Sequence, residues 1–203
     1  MTDEKQSWNE RYDQKNTPWD SGKPSQELER VLGEGLIKPS RVLEFGCRTG
    51  TNAIFLAKKG FEVTAADLSE LALEQARSKA ADAGVSIRFF QADILDHTDF
   101  GSPYPFVFDR GVYHHVRNVD LEAFRRTLTA VTAPGSHYLT LAGSANQPEP
   151  PEGGPPTVHA HDLCAELAPL FDLVQLREFR FDGVCVNGQP IAPLAWSALL
   201  RRR

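Results

Sequence analysis

RVLEFGCRTGTNAIFLAKKGFEVTAAD, residues 41–67, reads as a strand, a glycine-containing turn, a helix, and a second strand that ends in an acid. Val42, Leu43 and Phe45 form the short apolar run of a buried parallel strand, and Gly46 and Gly50 supply the permissive backbone of a tight turn. Ala53, Ile54, Leu56 and Ala57 mark one helix face, which Gly60 closes. Residues 61–66 form the second strand. Asp67 then lies about 20 residues beyond the turn, where such units place a carboxylate on ribose hydroxyls. This half of a nucleotide-binding α/β domain predicts an adenosine derivative as ligand.

Glycine spacing narrows the ligand. A dinucleotide fingerprint needs G-x-G-x-x-G so that a pyrophosphate can rest on backbone amides. After Gly46 this chain has Gly50 and then nothing until Gly60, so the fingerprint is absent. Residues 44–50, EFGCRTG, instead resemble the E/D-x-G-x-G-x-G signature of class I S-adenosylmethionine-dependent methyltransferases, with Arg48 where the family has its middle glycine. The resemblance implies that Glu44, Gly46, Cys47, Arg48 and Gly50 lie along the methionine part of S-adenosylmethionine, with Asp67 and Leu68 at its ribose. The Arg48 side chain is expected to turn toward solvent; contact with the cofactor carboxylate and blockage of the pocket are the alternatives. Residues 8–32, WNERYDQKNTPWDSGKPSQELERVL, resemble the N-terminal region of the thiopurine, thiol and halide methyltransferase group, in which a TPWD-x-G segment folds over the cofactor. By that resemblance residues 1–38 are a helical lid segment and Trp19 is part of the lid.

Further along, Ser7 to Glu10 form a capping-box pattern that predicts a helix start, with Trp8 and Tyr12 one turn apart on a single face. Ser25 and Ser69 head two more helices. Residues 85–91 have strand character and run into Asp93, which is either a helix-capping acid or, as the resemblance implies, a partner of the adenine amino group, with Ile94 beside it. Residues 106–111, FVFDRG, are an apolar strand with a polar end, and the C-terminal edges of such strands face the ligand crevice. Asp109 and Arg110 are the cofactor-binding candidates there. From Asp109 the chain continues to His114 and His115 in a pattern similar to the D-x-x-x-x-H-H of small-molecule methyltransferases, and it lacks the N/D-P-P-Y/F of enzymes acting on base or amide nitrogens. His114 and His115 are the candidate catalytic pair. A base is required only if the acceptor's pKa is high: a thiol near pKa ~8.5 is partly ionised at neutrality, whereas a phenol near ~10 is not.

With 203 residues and 41% hydrophobic content, the chain is expected to form a single methyltransferase domain over residues 1–203. A net charge of −5 argues against a polyanion-binding surface, so nucleic acid is not an expected partner. Cys47, Cys164 and Cys185 are scattered, without C-x-x-C or metal-ligand spacing. No apolar run suits a signal peptide or a membrane span, so a cytoplasmic protein with no membrane partner is expected. Residues 144–157, dense in proline and glycine, read as a loop and a candidate substrate lid. Residues 171–181 and 191–200 read as closing strands joined through Asp182-Gly183 and Asn187-Gly188 turn signals, with Arg201 to Arg203 a solvated tail. The predicted fold is α/β, a doubly wound, seven-stranded, mostly parallel sheet with an antiparallel C-terminal hairpin. The predicted reaction is methyl transfer from S-adenosylmethionine to a small-molecule thiol, halide, or phenol or quinol oxygen. A non-catalytic adenosylmethionine-binding protein and a nucleotide-dependent oxidoreductase are the alternatives.

Overall fold

The computed structural model describes residues 3–14, 16–96, 99–101, 103–148, 155–182, 184–186 and 189–203. These gather into two compact units, Met1–Asp93 with Asp182–Ile191, and Ile94–Phe181 with Ala192–Arg203. The first unit holds α1 (Asp3–Asp13), α2 (Gln26–Gly33), β1 (Arg41–Phe45), α3 (Thr51–Lys58), β2 (Glu62–Asp67), α4 (Glu70–Asp82) and β3 (Ile87–Gln91). Strand β1 pairs in parallel with β2, and β2 with β3. Val42, Leu43 and Phe45 are fully buried, as the uninterrupted apolar run required, and Leu56, Leu73 and Ala76 bury the inner faces of α3 and α4. Helix α1 begins at Asp3, ahead of the capping-box pattern at Ser7. The Ser69 hydroxyl caps α4 by accepting from the Ala72 N–H at 3.2 Å and donates to Asn9 Oδ1 at 2.7 Å, tying α1 to α4. A short antiparallel pair, β8 (Val184–Val186) and β9 (Gln189–Ile191), completes this unit. The turn residues Gly183, Asn187 and Gly188 lie outside the described residues.

The second unit holds β4 (Phe106–Arg110), α5 (Tyr113–Val131), β5 (His137–Ser144), β6 (Thr157–Val158), α6 (Ala160–Leu167), β7 (Phe171–Arg180) and β10 (Leu194–Arg202). Strands β4, β5 and β6 are parallel, and β10 runs antiparallel between β5 and β7. The fold is thus the expected mostly parallel α/β class with an antiparallel ending; among the described residues it has three strands beyond the expected seven, the β8–β9 pair and β6, which takes Thr157 and Val158 out of the proline-rich loop. The lid reading of that loop rests largely on residues 149–154, outside the described residues. The arginine tail also differs from expectation. Arg201 and Arg202 belong to β10, the Arg202 guanidinium donates to the Leu170 carbonyl at 2.9 Å, and Arg203 reaches Asp172 at 2.7 Å. Among the described residues no helix is long and apolar enough to cross a membrane.

Candidate active site

The loop that follows β1 owes its path to three alternate residues in left-handed backbone: Gly46 (φ 61°), Arg48 (φ 57°) and Gly50 (φ 80°). A glycine adopts this region freely, whereas an L side chain costs roughly 1–2 kcal/mol there. Gly50 is fixed by packing as well, since a Cβ would stand 3.0 Å from the Ala76 Cβ of α4. Arg48 carries its strain under two restraints. Its main-chain N–H donates to Asp67 Oδ2 at 2.8 Å, and its guanidinium donates to the Trp19 carbonyl at 3.1 Å. The expected turn of this side chain toward solvent is therefore not what the fold adopts.

Asp67 closes β2 nearly buried, with Oδ1 accepting the Ser69 N–H at 2.9 Å. Burial raises the pKa of its carboxyl above the ordinary value, while the N–H groups of Ser69 and Arg48 and the Arg48 charge work the other way. A carboxylate has about four acceptor positions, so these main-chain donors leave capacity for hydroxyls. An oriented, desolvated carboxylate beside a left-handed glycine loop suits the ribose end of an adenosine ligand. Leu68 is half-buried next to it, and the Asp67 carbonyl accepts the Ala92 N–H at 3.0 Å, bringing the half-buried Asp93 to the neighbouring strand end. Glu44 is buried on β1. Cys47 is buried too; burial, then the charges of Asp67 and Glu44, push its thiol up.

The N-terminal segment lies on this loop. Trp19 meets Trp8 edge to face at 5.6 Å between centroids, and the Arg11 guanidinium stands 5.1 Å from the Trp8 ring and 5.6 Å from the Trp19 ring. Asp20 Oδ2 accepts the Thr49 hydroxyl at 2.6 Å, and the Lys79 ammonium donates to Thr49 Oγ1. Tyr12, one turn from Trp8, is buried, and its hydroxyl is pushed up by burial and then by the Asp67 charge. The sequence singled out Trp19, and Tyr12 as the helix-face partner of Trp8, but not Asp20, Thr49 or Lys79. Asp20 stood inside the quoted TPWD motif and was the one available signal.

In the second unit Asp109 is fully buried on β4. Its Oδ1 accepts the N–H groups of Val112 (2.9 Å) and Tyr113 (3.2 Å), and its Oδ2 accepts the Tyr138 hydroxyl at 2.5 Å. It thereby satisfies the open amides at the start of α5. Burial raises its pKa against those hydrogen bonds. Arg110 is buried, with its guanidinium 5.1 Å from the Phe181 ring, and Ile94 is buried at the start of the unit. His114 and His115 sit in the first turn of α5, their rings 4.9 Å apart. His114 is buried, and its Nδ1 accepts the Gly143 N–H at 2.8 Å. That lone pair is occupied, so in the neutral ring the proton sits on Nε2. His114 presents a donor there, while His115 is half-buried. Gly143 permits the contact by its lack of a side chain: a Cβ would stand 2.7 Å from the Pro156 carbonyl oxygen.

A methyltransferase-domain family profile matches residues 42–135, from β1 through the end of α5. A 2-heptyl-1-hydroxyquinolin-4(1H)-one methyltransferase of Mycobacteroides abscessus is 26% identical over 72% of this chain, and the match spans 64% of that enzyme's length. An uncharacterized methyltransferase of Schizosaccharomyces pombe is 31% identical over 51% of this chain and 71% of its own. A solved structure from work on the conversion of a disulfide bond into a thioacetal group during echinomycin biosynthesis superposes with a TM-score of 0.79 at 28% identity, covering 91% of this chain and 85% of that one. The oxidoreductase alternative falls with these matches. The left-handed turn, the acid closing the second strand and the matched relatives together place the chain in the family of S-adenosylmethionine-dependent methyltransferases.

Proposed function

We propose that residues 1–203 act as one methyltransferase domain that moves the methyl group of S-adenosylmethionine to a small-molecule nucleophile able to ionise without a protein base: a thiol, a halide, or an acidic phenol- or quinol-type oxygen. The observation that carries this reading is His114 Nδ1 accepting the Gly143 N–H. A histidine held in that tautomer donates through Nε2, so it orients or stabilises an anion better than it removes a proton. The buried Arg110 guanidinium on the same unit suits an anionic acceptor as well. The hydroxyquinolone substrate of the Mycobacteroides relative makes ring-bound hydroxyls the first acceptors to try.

The cofactor would be held by Asp67 with Leu68 at its ribose, by the backbone around Gly46, Arg48 and Gly50 at its methionine part, by Asp93 at its adenine, and by Trp19 as cover. When bound, S-adenosylmethionine supplies an activated methyl group on a sulfonium. The chain then has to align the acceptor and exclude water. Asp109, with both carboxylate oxygens engaged by main chain and Tyr138, has the task of setting the start of α5, and so the position of His114.

Labelled methyl transfer across thiols, phenols, hydroxyquinolones and halides tests the reading. With a series of acceptors of graded pKa, the rising limb of kcat/KM against pH should move with the acceptor. A limb fixed at one pH for every acceptor would assign the proton to a protein base and overturn it. Binding of S-adenosylhomocysteine without turnover on any acceptor would favour the non-catalytic alternative.

A further inference from the structure

Arg48 is the one non-glycine residue in left-handed backbone among the described residues. Strain of this kind persists where the surroundings over-determine it. Here the surroundings are specific. Two consecutive loop residues grip two consecutive residues of the N-terminal segment: the Arg48 guanidinium holds the Trp19 carbonyl, and the Thr49 hydroxyl holds the Asp20 carboxylate. Lys79 of α4 supports Thr49 from below, and Trp8 with Arg11 holds the Trp19 ring. At the same time the Arg48 N–H fixes Asp67 Oδ2.

We propose that Arg48 is a positioning residue that fastens the Trp19–Asp20 segment to the first-turn loop before any cofactor arrives, so that cover and ribose-binding carboxylate are assembled together through one residue. The proposal rests on the cofactor reading given above. A glycine at this position keeps the path of the loop but leaves Trp19 without its charged donor, so that the segment would have to order as the cofactor binds. Ordering at that moment weakens binding; order already present does not.

Arg48→Asn isolates the tether, since asparagine tolerates left-handed backbone and is too short to replace the guanidinium. Arg48→Gly removes the strain as well, and Arg48→Lys keeps the charge and much of the reach. Amide hydrogen exchange is followed across residues 16–25 of the protein without ligand, where the Asp20 N–H donates to the Thr17 carbonyl at 2.9 Å. Exchange there should quicken about tenfold in the Asn and Gly variants, with Lys in between. S-adenosylhomocysteine affinity should fall by about tenfold in the same order, while the melting temperature of the Gly variant stays level or rises because strain is relieved. Unchanged exchange in the Asn variant overturns the proposal. If the wild type fails to bind S-adenosylhomocysteine, the cofactor reading falls, and the exchange measurement still decides whether Arg48 tethers the segment.

Discussion

At the scale of single residues, the first-turn motif shows what a pattern of glycines encodes. Its three alternate positions all take left-handed backbone, so the G-x-G-x-G pattern states a conformation and Arg48 meets it at an energetic cost. The sequence marked Gly46 and Gly50 as permissive turn positions and Arg48 as the departure from the glycine pattern, but not the sign of φ at Arg48. It could not show that the guanidinium would find the Trp19 carbonyl, 29 positions earlier, because that partner is supplied by the tertiary fold. Asp67 was legible by its spacing alone, and the structure adds the two main-chain donors that aim it. Asp67→Ala removes the acceptors proposed for the ribose hydroxyls. Charge-assisted hydrogen bonds contribute roughly 1.5–3 kcal/mol, so S-adenosylhomocysteine should bind about 10- to 150-fold more weakly in calorimetry. An affinity equal to the wild type's would remove Asp67 from the site.

At the scale of elements, the apolar runs of β1 and β4 were readable because a strand buried on both faces admits little else. The two-residue β6 was not, since its existence depends on the neighbouring edge of β5 rather than on its own composition. Helix α5 was half legible. Leu121, Phe124, Leu128 and Val131 carry helical spacing, but the turn holding His114 and His115 lies before a break at Asp120 (φ −153°, ψ 92°), where Asp120 Oδ1 accepts the Ala123 N–H and starts the helix afresh. The first part of α5 is secured by side chains instead. Tyr113 donates to Glu166 Oε2 at 2.6 Å and Arg117 Nε donates to the same oxygen at 2.9 Å; beyond the break, Arg125 Nε donates to the Glu166 carbonyl at 2.8 Å. Burial opposes the Glu166 charge, but the hydrogen bonds from Arg117 and Tyr113 and the charges of Arg117 and Arg125 outweigh it and hold the carboxyl below its ordinary 4.5. A lowered carboxyl pKa gives stability that is present above the unfolded value and lost as pH falls through the folded one. Glu166→Gln should therefore be less stable than the wild type by about 1 kcal/mol at pH 7, with the gap closing below pH about 4.5. Urea midpoints at pH 7 and pH 3 measure this, and a gap that is the same at both would show that the Glu166 charge contributes nothing to anchoring α5.

At the scale of the whole molecule, the acidic balance and the adenosine-type first half were legible from composition and one stretch of 27 residues, whereas the acceptor side was not. The role proposed there for His114 turns on which of its nitrogens carries the proton, and the main-chain N–H that occupies Nδ1 comes from Gly143, a residue with no signal of its own. What the whole chain must show, whatever the acceptor, is linkage between cofactor and folding. A ligand that binds only the folded state raises stability by RT ln(1 + [L]/Kd), about 2.7 kcal/mol at a hundredfold excess over Kd. For a chain of this length each kcal/mol moves the melting temperature by roughly 2–4 °C, so saturating S-adenosylhomocysteine should raise it by roughly 5–11 °C. NAD at equal concentration should raise it little, because no pyrophosphate fingerprint follows β1. With Asp67 in its proposed ribose role, Asp67→Ala should shrink the shift obtained at the same ligand concentration. At a hundredfold loss of affinity the ligand would stand near its new Kd, leaving about 0.4 kcal/mol and a shift of roughly 1–2 °C. A full shift retained in Asp67→Ala would mean that the cofactor is held by other groups and that the carboxylate closing β2 serves the loop alone.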